Sequence, residues 1–340
     1  MIRFSVGYPT NGSRAFVDKI IERREYINEV YFAALGVASG RSSVSPDTDE
    51  LPWESAERLH SDLARLCDNK IKLNLLLNGN CYGEDSLSRQ FFLSLGDIVD
   101  CYLNRYGLSS VTTASPMIAR FIHDNFAALE VRASVNLGIG DIRAMEFSAA
   151  IYDGYYAARE LNRDLAALRR MSEWCHSHGK RLYMLANSGC INNCPVRTFH
   201  DNLVAHENSL AKIDNAYTFK PLCREYLRAR EHYVSLIRDM NYVRPEDIDL
   251  YDDLVDSVKL ATRVNRCPER ILDAYCDRHY RGALTDLLEP DNGVSLLPWI
   301  VDNSLLPDNF GEYVATCGHE CEVCRFCEEA LERSMVRLEE

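Results

Sequence analysis

Short runs rich in β-branched and aromatic residues alternate along the chain with longer amphipathic stretches, the pattern of βα units that build a parallel sheet. The runs at 2–8, 29–35, 71–77, 129–135, 154–158, 181–185 and 257–263 read as strands. A further strand falls between residues 98 and 114, where 99–103 and 109–113 both qualify. Helices fit between them at 14–24, 53–66, 116–125 and 165–178; in the last, Leu165, Leu168 and Met171 share one face. Eight strands predict an α/β chain folded as a (β/α)8 TIM-like barrel over residues 1–290, followed by a short cysteine-rich C-terminal segment at 291–340. The alternative is a doubly wound open sheet, but no G-x-G-x-x-G follows the first strand. In a barrel, residues just past the strand ends gather on one face. That brings together Asn78 and Cys81, Arg159 and Glu160, the loop carrying Cys190, and Arg263.

The cysteines add chemistry to this frame. A chain of 340 residues that is 46% hydrophobic can bury a large core without covalent staples, so its 13 cysteines need another explanation, and an odd number cannot pair completely. They form two groups: Cys190-x3-Cys194 with Cys223 in the middle, and Cys317, Cys321, Cys324 and Cys327 near the end. Such short spacings let thiolates converge on one small object, a metal ion or iron–sulfur cluster. The terminal C-x2-C-x2-C rhythm with Cys317 beside it predicts a 4Fe-4S cluster, with a structural zinc assisted by His319 as the alternative. Cys317-x3-Cys321-x2-Cys324 also matches radical-SAM spacing, which normally follows an early barrel strand rather than the whole domain. Cys190 and Cys194 lie in the polar, Asn-rich segment ANSGCINNCPVRTFHDN, which favours ligands over buried thiols. The fourth ligand of that group stays open among Cys81, Cys267 and a terminal cysteine, so the chain holds one cluster or two. Cys67, Cys101, Cys175 and Cys276 lack ligand-like spacing and read as packing residues.

Charge and hydropathy narrow the partners. A net charge of −13 and a pI near 5.2 repel phosphate backbones, so nucleic acid is not the expected partner, and Arg163, Arg169 and Arg170 read as a solvated helix face. No apolar run approaches the roughly 18 residues that cross a bilayer, and no leader-like segment precedes MIRFSVGY. The expected setting is therefore cytoplasmic, where thiols stay reduced. Arg159 and Arg263, each a planar fork suited to a carboxylate, are the candidates for holding an anionic small molecule.

The segments AARELNRDL and VRPEDIDLYDDLVDSVKLATR, with the opening MIRFSVGYP…INEVYFAALG, resemble elements of the peptidase U32 family over roughly residues 1–265. The resemblance implies a TIM-like barrel. It also implies a choice of activity, because several relatives carry a 4Fe-4S cluster on four cysteines and support oxygen-independent hydroxylation rather than proteolysis. C-I-N-N-C-P departs from the usual family signature and places the chain in an outlying branch. On this reading Cys190, Cys194 and Cys223 hold a cluster facing the cavity, Arg159 and Arg263 bind substrate, and Glu160 or His200 moves a proton. The terminal cluster passes electrons or pins the terminus over the barrel. Two alternatives stand beside this iron–sulfur oxidoreductase of a biosynthetic pathway. One is a U32-like peptidase, for which Cys190 or Cys194 with His200 or His206 is the available nucleophile and base; the chain has no H-E-x-x-H and no G-x-S-x-G. The other is a non-catalytic, cluster-binding half of a heterodimer.

Overall fold

A computed structural model describes residues 1–9, 12–40 and 52–338. Eight parallel strands close into a barrel in chain order: β1 (Phe4–Gly7), β2 (Ile27–Ala33), β3 (Lys72–Leu77), β4 (Ser110–Thr113), β5 (Glu130–Ala133), β6 (Gly154–Tyr156), β7 (Arg181–Leu185) and β8 (Ser257–Leu260). Closure is made by β1 lying between β2 and β8, with Ser5 opposite both Glu29 and Lys259. The predicted (β/α)8 barrel is therefore the observed fold, and the open-sheet alternative is excluded.

Residue parity along each strand separates two environments. Phe4, Val6, Val30, Phe32, Leu73, Leu75, Val111, Val131, Leu182, Met184, Val258 and Leu260 all belong to the main apolar core, together with buried faces of the surrounding helices such as Phe16, Ile20, Leu59, Leu63, Ile118 and Leu168. The opposite parity fills the barrel, and here it is mostly polar. Glu29, fully buried, accepts from Arg132 Nη1 at 2.6 Å, from Ser5 Oγ at 3.0 Å and from Asn74 Nδ2 at 3.0 Å. Arg132 Nη2 also reaches Glu130 at 2.8 Å, and its guanidinium lies 4.3 Å from the centre of the Tyr183 ring. Five strands thus meet on one buried ion pair.

Of the two candidates for the fourth strand, 109–113 is correct and 99–103 is not. Residues 99–103 lie inside the helix Arg89–Tyr106, whose buried Leu95, Val99, Tyr102 and Tyr106 recur at helical spacing and whose start is capped by the Ser88 hydroxyl. A strongly apolar run is ambiguous in a short window; the four-residue recurrence over the longer one decides it.

Between β7 and β8 the chain makes a long excursion of short helices, including Arg197–Ala205, Leu222–Tyr226 and Ser235–Arg238. The last part of the chain adds the antiparallel pair β9 (Trp299–Val301) and β10 (Met335–Arg337) and the helices Phe310–Thr316 and Phe326–Ser334. A second apolar core joins these two regions: Leu236, Ile237, Met240 and Tyr242 from the excursion pack with Leu296, Phe310, Val314 and Leu331. Among the described residues no helix is long and apolar enough to cross a membrane.

Removing one member of a buried pair leaves the other charge uncompensated. Arg132→Met is expected to lower unfolding free energy by roughly 3–5 kcal/mol, read from the urea midpoint. The Glu29→Gln/Arg132→Met double variant should lose less than the sum of the two single losses.

Candidate functional site

The segment after β6 shows how local sequence builds the site. Ala158 N–H donates to Ile139 O at 2.8 Å, and Arg159–Leu161 then forms one short 3-10 turn. From there each side chain goes to a different neighbour. Arg159 Nη2 donates to Asn136 Oδ1 at 2.7 Å, and Glu160 pairs with Arg197. Asn162 Nδ2 donates to the carbonyls of Leu185 at 2.6 Å and Asn241 at 2.8 Å. Arg163 Nη1 donates to Ile237 O at 2.6 Å, with the guanidinium 4.7 Å from the Tyr242 ring and 5.5 Å from Phe310. Asp164 caps the helix Leu165–Ser177. Arg163 is thus buried, contrary to its expected place on a solvated helix face; Arg169 and Arg170, which lie within the helix, are exposed as expected. It precedes the helix, where unpaired loop carbonyls draw it inward.

The loop after β7 carries Cys190 and Cys194. It is held by Asn187, which donates to Ala261 O at 3.0 Å and Leu287 O at 2.8 Å, and by pairing of Gly189 N–H with Glu289 O at 3.0 Å. A Cβ on Gly189 would stand 2.2 Å from the Pro290 carbonyl oxygen, so only glycine lets the two segments meet. Beyond it, Asn192 N–H donates to Asp239 O at 2.8 Å, which turns the loop toward the excursion.

The structure brings the two cysteine groups to one place. A cavity of about 750 Å³ is lined by Cys194 and Cys223 from the region between β7 and β8 and by Cys317, Cys321 and Cys327 from the C-terminal segment, together with Glu160, Arg163 and Arg238. A neighbouring cavity of about 580 Å³ shares Cys194 and Cys223 and adds Cys190, Cys267, Arg197 and His200. Cys324 lies in a smaller recess with Tyr313, whose hydroxyl is 3.3 Å from its sulfur. All 13 cysteines are free thiols. Burial, and then the proximity of Cys190 and Cys194, push the Cys223 thiol up. Cys327 is pushed up to about 11 by burial, against the pull of Arg163 and with the further push of Cys317, Cys321 and Cys324. These mutual effects place each group within electrostatic reach of itself. Among the described residues no group of three or more His, Cys, Asp or Glu is set in a metal-holding arrangement. Thiols are the donor type that iron–sulfur and zinc sites use. Of the candidates for a fourth central ligand, Cys267, Cys317, Cys321 and Cys327 each share a cavity with members of the group; Cys324 and Cys81 line neither.

The acid, base and cation candidates divide between two places. Glu160 lines the larger cavity; burial raises its carboxyl, but the hydrogen bond and charge of Arg197, with Arg159 behind, hold it below the ordinary carboxylate value of 4.5. His200, on the helix Arg197–Ala205, lines the second cavity with its ring 5.0 Å from Phe219. Arg159 and Arg263 lie instead at the mouth of the barrel, both buried. The Arg263 stem passes over Gly7, where a Cβ would approach its Cγ to 2.6 Å, and its Nη2 donates to Ser39 at 3.1 Å. Lys259 joins them, and sequence reasoning missed it. Burial and then Arg263 push its amine down to about 7. The signal was available: in SVKL a lysine occupies an inward position of a fully buried strand.

Comparison with known proteins supports the family resemblance without fixing an activity. No family model matches this sequence. The chain is 25% identical over 272 residues to an uncharacterized protease of Methanocaldococcus jannaschii, covering 78% of each. Its structure is similar to that of a U32 peptidase, with a TM-score of 0.54 and 18% identity over 76% of this chain and 92% of that one.

The Glu160–Arg197 pair has a pH signature. A carboxylate lowered in the folded state adds stability that is full above its unfolded value and is lost as pH falls through the folded one. Between about pH 6 and about pH 3, wild-type Tm should therefore fall further than that of Glu160→Gln, by about 2 °C for a half-exposed pair. Differential scanning calorimetry checks this.

Proposed function

We propose that this chain is an iron–sulfur member of the U32-like barrels that carries out or supports an oxygen-independent redox modification, hydroxylation, of a small molecule in a biosynthetic pathway. The observation that carries this reading is the shared cavity lined by cysteines from segments more than 90 residues apart, Cys194 and Cys223 together with Cys317, Cys321 and Cys327. Thiols in such number suit a 4Fe-4S group on each side, Cys190, Cys194 and Cys223 for one and the terminal four for the other, with zinc the alternative at the terminal group. When bound, an iron–sulfur group would supply one-electron transfer. A reducing, cytoplasmic setting keeps the thiols available.

The protein's own groups have distinct tasks on this reading. Arg163, anchored on the carbonyls of Ile237 and Tyr242, presents fixed positive charge to the cavity wall and offsets part of the rise that burial gives the Cys327 thiol. Arg197 holds Glu160 ionised, so that Glu160 can accept a proton but not donate one at neutral pH. His200, on the second cavity, is the other candidate for moving a proton. Arg159 and Arg263 hold the anionic end of the substrate at the barrel mouth. Hydroxylation with water as the oxygen source releases two electrons and two protons, so a partner protein or the other half of a heterodimer would accept the electrons; only a reductive modification would need that partner as an electron donor.

A second reading, a U32-like hydrolase, is favoured by the two similar proteins, one named a protease and one a peptidase. The two readings part on metal. Anaerobic purification should yield about four or about eight irons per chain with matching sulfide. Cys194→Ala and Cys321→Ala should each reduce iron and bleach the visible band. Zinc alone, or no metal together with peptide cleavage that persists after iron removal, would replace the first reading by the second.

A further inference from the structure

The walls of the second cavity, of about 580 Å³, grade from buried Leu288 and Asn292 to exposed Arg224, Arg266 and Val294. Asn292 is fully buried, and its Nδ2 donates to Gly189 O at 2.9 Å. A carbonyl can only accept, so this bond fixes which way the amide is turned. Asn292 Oδ1 is left as an acceptor without a donor. The ionised groups of the cavity divide into those already engaged and those that are not. Asp286 pairs with Arg270 and Arg197 with Glu160, while Asp201 lies beside Arg197, Glu289 faces Lys259, and Asp291 accepts from Gly293 N–H at 2.7 Å. Arg224, on the helix Leu222–Tyr226, makes one long bond, to the carbonyl oxygen of Asp291 at 3.4 Å. Arg266, in the turn after β8, makes no hydrogen bond or ion pair among the described residues. Exposed guanidiniums are solvated at little cost and by themselves demand no ligand. An orphaned buried acceptor on the same cavity is different, because it gains from any donor that reaches it.

We propose that the second cavity binds a small amino carboxylate, with its carboxylate held between Arg224 and Arg266 and an N–H directed to Asn292 Oδ1. A guanidinium offers the planar fork that matches a carboxylate. The charge of the walls selects a ligand that carries both signs. Four guanidiniums, Arg197, Arg224, Arg266 and Arg270, are balanced by four carboxylates, Asp201, Asp286, Glu289 and Asp291, so a compact dianion such as phosphate would be repelled by one half of the lining. Ile191, Leu288 and Pro290 supply apolar surface for the carbon chain between the two ends. The volume lies within the range of small-molecule sites. This goes beyond the function proposed above and does not rest on a metal.

The test is calorimetric titration of the full chain with matched pairs that differ only in the amine: glycine and acetate, β-alanine and propionate, γ-aminobutyrate and butyrate. Alanylalanine distinguishes the end of a peptide from a free amino acid, and inorganic phosphate serves as the control anion. Concentrations up to about 10 mM cover the millimolar affinity of a ligand of about six non-hydrogen atoms. At least one amino carboxylate should bind about tenfold or more tightly than its partner lacking the amine. Arg224→Met and Arg266→Met, both at exposed positions, should fold normally and each weaken binding about fivefold. Position is read from two exposed cysteines: Cys267 lines the cavity, whereas Cys101, on the helix Arg89–Tyr106, does not. Bound ligand should slow alkylation of Cys267 by iodoacetamide, followed by peptide mass spectrometry, and leave the rate at Cys101 unchanged. Absence of binding by every amino carboxylate and by alanylalanine, equal affinity for the partners lacking the amine, binding of phosphate alone, or undiminished binding by a folded Arg224→Met/Arg266→Met protein would each overturn the proposal.

Discussion

The ion pair of Glu29 and Arg132 inside the barrel is the constraint on which the rest of the structure depends. Most of the outward face of the strands is apolar and could pack against many helical arrangements, but the inward face carries a charge pair that tolerates few neighbours. Ser5, Asn74 and Ser110 point their polar atoms at the same carboxylate, and Glu130 and Tyr183 complete the shell around Arg132. Strand register is thereby specified from within: a slip of one residue on β2 would turn Glu29 into the helix layer and leave Arg132 without its partner. The same polar filling leaves the upper layer of the barrel, around Tyr31, Tyr156 and Lys259, free to differ in character from the lower one.

Above that layer, site architecture rests on short connections rather than on the strands. The run from Arg159 to Asp164 makes contacts with the loop after β5, the helix after the cysteine loop, β7, the excursion and its own following helix. A substitution anywhere in it would disturb several walls together. Asn187 plays the matching part after β7, tying the strand end to β8 and to the segment that Gly189 must approach closely.

Much of this was legible in the sequence because it depends on local pattern. Strand and helix periodicity predicted the barrel, and five of the cysteines that spacing singled out line the shared cavity, while Cys190 and Cys324 line neighbouring recesses. What remained hidden depends on distant partners. The ambiguity over the fourth strand arose because residues 99–103 are apolar enough for either element, and only the longer helical recurrence of Leu95, Val99, Tyr102 and Tyr106 resolves it. Arg163 looked solvated because its neighbours Arg169 and Arg170 are; its carbonyl acceptors lie more than 70 residues away. Lys259 escaped notice for a related reason, since a lysine in a strand is usually an edge or surface residue and the closed barrel removes that option. Nor does spacing within either cysteine group reveal that the two groups share a cavity, because the apolar core of Tyr242, Phe310 and Leu331 that joins them is a tertiary contact.

That shared cavity also has a history within the life of each molecule. One wall is made from the segment after β7 and the other from residues near 320, so the barrel can be complete while half of the thiol-lined recess has yet to be synthesised. During that interval Cys190, Cys194 and Cys223 face solvent without their opposite wall. Any group destined for the recess can be enclosed only after the last helix has docked, which makes the C-terminal segment the timekeeper of the site as well as its lid.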